Sequence, residues 1–286
     1  MTIAVMSDIH GNYIAFQKCI DYALERGADT FFFLGDYSGE LAYPQRTMEI
    51  LYSMKERYHC YFIKGNKEEY WLNYRKNGET GWKEKDSTTG SLLYTYNELT
   101  EADFAFYESL SYVQEIVFEG LPAMTICHGS PRKANEKMLP GDARTFEIME
   151  KAQTSLILCG HTHVQGKIQL DDKCVLNPGS VGVPLYSDGK TQFMILHQKE
   201  NGWQEEFISL SYDVERVIRE LREAGLDEKA PYWCRVSERL LREGDVSHGE
   251  VLERAMKLCY EDTGACVWPE IPEKYWEQAV RESFAT

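Results

Sequence analysis

Five short motifs hold the residues whose types and spacing suit chemistry: Asp8-Ile9-His10, Gly35-Asp36, Gly65-Asn66, His128-Gly129 and Gly160-His161-Thr162-His163. Together they offer carboxylate oxygen, amide oxygen and imidazole nitrogen, a donor set suited to a pair of borderline-hard metal ions. Taken singly, D-x-H or Gly-Asp says little, because turns use such residues routinely. GHTH is sharper: two imidazoles that bracket one residue after an apolar run can point into the same cleft. The weight lies in the joint pattern. Each motif sits at or just after a predicted strand end, and the carboxyl ends of strands are where open α/β sheets bind ligands. Four of the seven histidines fall in these motifs. His59, His197 and His248 have no comparable context and are read as surface or structural residues.

The elements that must position these groups follow from apolar periodicity. TIAVMSD reads as a strand ending at Asp8, and residues 14–26 as a helix with Ile14, Cys19, Ile20 and Leu24 on one face and Gly27 past its end. DTFFFLGD is a nearly continuous apolar strand, as expected when both faces are covered. Residues 44–57 predict a helix that starts at Pro44, and CYFIKGN a third buried strand. This β-α-β-α-β order predicts a parallel sheet flanked by helices. Residues 68–111 break the rhythm and read as a helical, aromatic insertion with a mobile stretch near NGETGWKEKDSTTG. The strands EIVFEG and AMTICHG follow, then a helix near residues 142–153 and the strand SLILCGH. GKIQL, KCVLNPGS, TQFMILHQ and WQEEFISL come in close succession, which suggests antiparallel pairing. From residue 212 the pattern turns helical, with breaks at Gly225 and Gly244, capping-box spacing at Ser247 and Glu250, and a last helix over 272–284. Two packed sheets with helices outside accommodate both halves. The expected domains are 1–211, with the insertion at 68–111, and a helical extension over 212–286.

Bulk properties narrow the partners. A net charge of −15 argues against long nucleic acid and anionic membranes, which need a positive footprint. A small anionic substrate stays open, because bound metal inverts the local field. The eight cysteines form no CxxC pair and read as buried free thiols in a reducing compartment. The first residues lack the basic and then apolar run of a signal peptide, and no apolar stretch approaches the ~18 residues of a membrane span. The expected location is cytoplasmic.

The ordered motifs resemble the calcineurin-like metallophosphoesterase superfamily, whose pattern is D-x-H, G-D, G-N-H-[DE], a lone H, then G-H-x-H. The resemblance covers residues 1 to about 210, and LNPGSVG at 176–182 is similar to the small bacterial and archaeal phosphodiesterase branch. It implies an α/β (α+β) fold, a four-layer α-β-β-α sandwich of two mixed sheets, here with a C-terminal helical extension. It further implies that Asp8, His10 and His163 bind one metal, that Asn66, His128 and His161 bind a second, and that Asp36 bridges both. The metals would be Mn²⁺ first, with Fe, Zn²⁺, Ni²⁺ or Mg²⁺ as alternatives. Catalytic roles fall to Asp36, Asn66, His128 and, by position, Lys67.

Lys67 is the departure, since most of the superfamily has histidine after Gly-Asn. It either donates to a phosphate or leaving-group oxygen or is a solvated loop lysine. As an ammonium with a reference pKa near 10.4 it is a poor general acid at neutral pH. Other candidates carry paired readings. Asn12 reaches the phosphate or caps a helix; Arg132 clamps an anion or lies on the surface; Tyr37 lines the cleft or packs in the core. Trp71, Tyr74, Trp82 and Tyr94 stack on a nucleobase or form the core of the insertion. The expected activity is a dinuclear hydrolase of phosphodiesters or of nucleotides and dinucleoside polyphosphates. The alternatives are a phosphomonoesterase, including a protein phosphatase, and a non-catalytic binding module. A homodimer is compatible with the C-terminal helices.

Overall fold

In the computed structural model, which describes residues 1–200 and 202–285, the first strand, β1 (Thr2–Met6), alternates its side chains between two cores. Ile3 and Val5 face one cluster, Ala4 and Met6 another, as the period-2 geometry of a strand requires. Helix α1 (Tyr13–Glu25) leads to β2 (Thr30–Phe33), and α2 (Pro44–Arg57) to β3 (His59–Phe62). The three strands pair in parallel, Val5 opposite Phe32 and Phe31 opposite Cys60. β2 is buried on both faces. β3 was expected to be buried as well, but it is the sheet edge. His59 is exposed, and Cys60 and Tyr61 are half-buried.

The insertion forms α3 (Asn66–Lys76), α4 (Gly90–Glu98) and α5 (Glu101–Ser109). Its aromatic residues serve the core. Trp71 is fully buried and donates its indole N–H to the Leu92 carbonyl. Tyr74 and Trp82 stack on each other with centroids 3.9 Å apart. Neither they nor Tyr94 lines the cleft described below, so the nucleobase alternative for these residues fails. The stretch expected to be mobile is tied down at its end. Ser87–Gly90 are buried, Asp86 accepts from the Thr88 and Thr89 amides, and Glu273 accepts from Ser87.

Next come β4 (Val113–Ile116), β5 (Met124–Cys127), α6 (Ala143–Lys151), β6 (Leu156–Leu158), β7 (Gly166–Leu170), β8 (Lys173–Asn177), β9 (Thr191–Lys199) and β10 (Gly202–Leu210). The sheets have the orders β10-β9-β1-β2-β3 and β4-β5-β6-β8-β7. The last four strands were expected to pair in succession; instead they split. β7–β8 is a hairpin of the second sheet, where β8 runs parallel to β6, while β9–β10 joins the first sheet through β1. Hairpin signals are local and do not say which sheet a hairpin joins. The choice is made by burial: Phe193–Leu196 are wholly buried, as suits a strand between two neighbours and covered on both faces. Between the sheets, Ile3, Val5, Phe32 and Leu34 meet Met124, Ile126, Leu158 and Leu176. α1 and α2 cover the outer face of the first sheet and α6 that of the second. The result is a four-layer α-β-β-α sandwich of two mixed sheets.

The C-terminal helices are α7 (Val214–Glu223), α8 (Leu226–Lys229), α9 (Pro231–Glu243), α10 (His248–Thr263) and α11 (Glu273–Ser283). Ser247 caps α10 by accepting from the Glu250 amide, and Gly244 ends α9 in the left-handed conformation. The short α8 has no sequence signal of its own. Leu221, Val236, Leu241, Val251 and Trp276 build a core that also takes in Leu41, Ala42 and Tyr94. The extension is therefore joined to the sandwich and to the insertion. All eight cysteines are free; Cys60, Cys174 and Cys266 are half-buried rather than buried as expected. Among the described residues no helix is long and apolar enough to cross a membrane.

Leu221 is fully buried in this core of the extension. Leu221→Ala should cost about 2–5 kcal/mol. In urea denaturation the midpoint should fall with little change in slope; an unchanged midpoint would show that the extension does not unfold with the sandwich.

Candidate metal centre and its cleft

The loops after β1 and β2 prolong the parallel ladder beyond the strands. Asp8 N–H donates to the Gly35 carbonyl (3.1 Å), His10 N–H to that of Asp36 (3.0 Å) and Gly11 N–H to that of Tyr37 (3.0 Å). Within these loops the backbone departs from its usual regions. Asp8, His10, Asp36, His161 and His163 all have positive φ, between 51° and 66°. Such conformations cost about 1–3 kcal/mol each and cluster where function requires them. Close approach also matters. A Cβ on Gly65 would collide with the Asp36 carboxylate and amide, so the Gly before Asn66 lets the loop after β3 lie against the loop after β2.

Each buried carboxylate has one oxygen tied to backbone and the other aimed inward. Asp8 Oδ2 accepts from the His161 amide (2.9 Å), and Asp36 Oδ1 from the Lys67 amide (2.8 Å). Asp8 Oδ1 faces His163 Nε2 (3.2 Å), His10 Nε2 (3.8 Å) and His128 Nε2 (3.8 Å). Asp36 Oδ2 lies 3.4 Å from His128 Nε2 and 3.7 Å from His10 Nε2, so it stands between the two halves of the cluster. His10 and His163 bring their Nε2 atoms within 3.1 Å, and Asn66 Oδ1 is 3.1 Å from His128 Nε2. The structure thus brings six of the seven expected ligands together directly. The seventh, His161, is beside them, its ring centroid 5.2 Å from that of His128.

Two observations show that this set fits metal ions. Asp8 Oδ1 is buried with no hydrogen-bond partner, a cost that a cation removes. Two donors sharing an ion about 2.1 Å away lie about 3 Å apart; the closest donor pairs here are 3.1–3.4 Å apart and the others reach 3.8 Å. Two overlapping groups, Asp8–His10–His163 and Asp8–Asp36–His128, can each hold an ion. The ring orientations agree. His128 Nδ1–H donates to the Leu34 carbonyl (2.7 Å) and His163 Nδ1–H to that of Val183 (3.2 Å), leaving their Nε2 atoms toward the cluster.

The electrostatics follow from burial and proximity. Burial alone would raise both carboxyl groups, but His163 and His128 hold Asp8, and His128 and His10 hold Asp36, well below the usual carboxylate range. Burial opposes the charge of His128, yet Asp36 and Asp8 push it up to about 10. His161 is pushed down to about 4, first by burial and then by the charge of His128.

Sequence reasoning missed a layer of supporting residues. Glu68 accepts from the amides of Gly65 (2.7 Å), Asp36 (3.0 Å) and Tyr37 (2.9 Å), so one carboxylate joins two ligand loops. Burial and the Asp36 charge raise it to about 7. Its capping-box spacing from Gly65 was a readable signal. Asn177, in the LNPGSVG stretch, donates to the Gly160 carbonyl and Thr162 Oγ1 and holds the GHTH turn. Glu40 and His248 carry no sequence signal, yet both line the cleft. His248, read as surface or structural, is buried, bonded to Ser237 and stacked on Trp233. His197 pairs with Glu206, and His59 is exposed, as expected.

Three secondary candidates resolve to their structural alternatives. Asn12 caps α1 through the Ala15 amide, donates to the Gly182 carbonyl and does not line the cleft. Tyr37 is fully buried, its hydroxyl donating to the Ile63 carbonyl (2.5 Å), with that of Phe33 at 3.1 Å. Arg132 is exposed, bonded to Glu136, and outside the cleft; Lys137 of the same loop lines it instead. Lys67 does enter the cleft. Its ammonium lies 2.7 Å from Glu40 Oε1 and over the rings of Tyr70 and Trp233, at 5.8 and 5.7 Å. Burial works against its charge, but Glu40 and Asp36 raise its pKa, so it remains an ammonium.

The cluster opens into a cleft of about 440 Å³. The sandwich loops form its floor; Tyr70 of the insertion and Trp233, His248 and Trp268 of the extension form its walls.

Glu68→Ala should free three buried amides, at about 1–3 kcal/mol for each left unmet. Thermal unfolding should show lowered stability, and equilibrium dialysis weakened Mn²⁺ binding. Retention of both would mean that Glu68 does not hold the ligand loops.

Comparison with known proteins agrees with this geometry. A family model described as the calcineurin-like phosphoesterase superfamily domain matches residues 1–201. An uncharacterized protein of Methanocaldococcus jannaschii is 25% identical over 252 residues, spanning 81% of this chain and 94% of its own. A metallophosphoesterase from Sphaerobacter thermophilus shares the fold with a TM-score of 0.69 at 22% identity, over 85% of this chain and 99% of its own. A hypothetical protein from Pyrococcus horikoshii OT3 does so with a TM-score of 0.71 at 19% identity, over 86% and 99%. Because the matched span includes all five motifs and most of the chain, this protein belongs to the calcineurin-like phosphoesterase superfamily.

Proposed function

We propose that the protein is a dinuclear-metal-dependent hydrolase of phosphate esters that acts on small phosphodiester or nucleotide-type substrates. One observation carries the reading: the donor cluster opens into a walled cleft of about 440 Å³ that also presents the Lys67 ammonium. That volume suits a small molecule.

Asp8, His10 and His163 would hold one ion, Asn66, His128 and His161 the other, and Asp36, between the two sets, both. When bound, such ions would lower the pKa of a coordinated water and offset charge on the phosphate oxygens. The chain supplies the rest. Carbonyls on Nδ1 of His128 and His163 keep their Nε2 atoms aimed inward. Lys67 offers a fixed positive charge to a phosphate oxygen. The extension and insertion wall the cleft and limit the bulk of an ester that enters. Eight free cysteines support a cytoplasmic setting.

Asp36→Asn should abolish turnover, and Lys67→Ala should lower it about tenfold or more while metal content stays intact. Elemental analysis and initial rates check both; near-normal rates in Asp36→Asn would sink the mechanism. The deciding experiment for substrate is a panel of phosphomonoesters, cyclic nucleotides and dinucleoside polyphosphates assayed with Mn²⁺, Zn²⁺, Ni²⁺ and Mg²⁺. The proposal expects turnover of a diester or nucleotide. Exclusive turnover of monoesters would replace it with a phosphomonoesterase, and inactivity throughout would favour a binding role.

A further inference from the structure

Of the three imidazoles whose Nε2 atoms face the buried carboxylates, His10 differs from the others. His128 and His163 each donate Nδ1–H to a backbone carbonyl. His10 Nδ1 is buried and has no hydrogen-bond partner. The acidic group nearest to it is Glu40, with Oε1 at 3.7 Å. Glu40 has the matching deficit: its side chain is buried, and Oε2 accepts from nothing. Two unmet buried groups of opposite hydrogen-bonding sense therefore stand side by side. Leaving both unmet is costly, and a hydrogen bond between them would satisfy both.

The other oxygen of Glu40 is already engaged. Oε1 lies 2.7 Å from Lys67 Nζ, with only 12% of the lysine side chain exposed. Faces of Tyr70 and Trp233 flank the ammonium. Trp233 is held in turn by His248, stacked at 4.4 Å. The backbone shows the same constraint. Glu40 has φ of 60°, a conformation that costs a residue with a side chain. Its loop is anchored where the Leu41 amide donates to the His10 carbonyl.

We propose that Glu40 is a positioning residue that serves two neighbours with one carboxylate, orienting His10 toward the donor cluster and fixing the Lys67 ammonium in the cleft as the cation that meets a phosphate oxygen. It takes up, on His10, the part that carbonyls play on His128 and His163. It also explains how a flexible lysine can occupy the position after Gly-Asn: ion pairing and two ring faces remove the freedom that would otherwise blur its charge. The Lys67 half rests on the phosphoesterase reading; the His10 half does not.

The test uses the full chain, with Mn²⁺ and inorganic phosphate as probes in isothermal titration calorimetry. Partners of metal-binding histidines typically matter 10–100-fold for affinity. Glu40→Gln should therefore weaken Mn²⁺ binding about tenfold, while Lys67→Ala leaves it unchanged. On Mn²⁺-loaded protein, each single variant should weaken phosphate binding about tenfold, as expected for losing a charge-assisted contact. Adding Glu40→Gln to Lys67→Ala should weaken phosphate no further, because Glu40 acts on phosphate through Lys67, yet should still weaken Mn²⁺. Glu40→Asp, which keeps the charge, should recover part of both. A merely structural Glu40 would lower thermal stability, leave Mn²⁺ affinity intact and add its full effect in the double variant; that pattern overturns the proposal. Unchanged Mn²⁺ affinity in folded Glu40→Gln overturns the His10 half. Wild-type protein that binds Mn²⁺ but neither binds phosphate nor cleaves any ester overturns the phosphoesterase reading and the Lys67 half with it, while the Mn²⁺ result still decides the other.

Discussion

Burying the Asp8 and Asp36 carboxylates side by side would cost several kcal/mol for each if they were left unpaired. Nearly every other feature of the centre answers that cost. One oxygen of each is satisfied by a backbone amide, and the other is turned toward imidazole nitrogens. The carboxylates push His128 up to about 10, so protons and metal ions would compete for the same lone pairs. Asp8 Oδ1, buried with no hydrogen-bond partner, is the atom that a cation would satisfy.

The same cost explains the strained backbone. Five of the seven donor residues adopt left-handed φ values, and ordinary strand ends would not aim their side chains inward from such closely packed loops. The strain is held by groups one step back. Glu68 gathers three amides, Asn177 spans the GHTH turn, and the ladder between the loops after β1 and β2 continues where the strands have ended. Rigid strands supply direction, and these bonds convert direction into donor spacings of 3.1–3.8 Å.

The C-terminal helices wall the cleft beside the cluster. Their core is shared with Leu41, Ala42 and Tyr94, and Trp276 donates to Thr88 of the insertion. Two segments far apart in sequence thus brace each other over the floor of the cleft. Tyr70 and Trp268, at its walls, keep 37% and 40% of their surface exposed, with ring centroids 6.3 Å apart. The walls of the cleft therefore come largely from segments outside the ligand motifs.

Much of this was legible beforehand. The parallel core, the ligand motifs and the helix caps at Asn12, Gly244 and Ser247 are local in sequence, since each rests on periodicity or on a few adjacent residues. Other features are set by partners distant along the chain. Which sheet β9–β10 would join depended on β1; whether Tyr37 and Arg132 faced the cleft depended on Ile63 and Glu136. Glu40 and His248 gave no warning because a lone carboxylate or imidazole has meaning only beside what it touches. By itself, then, the sequence determined the candidate donor residues and the strands that carry them, because strand ends and residue types are local properties. Only the tertiary structure decided which polar groups face the cleft and which support it from behind, because burial and hydrogen bonding are settled between residues as far apart as Asn12 and Gly182 or Trp276 and Thr88.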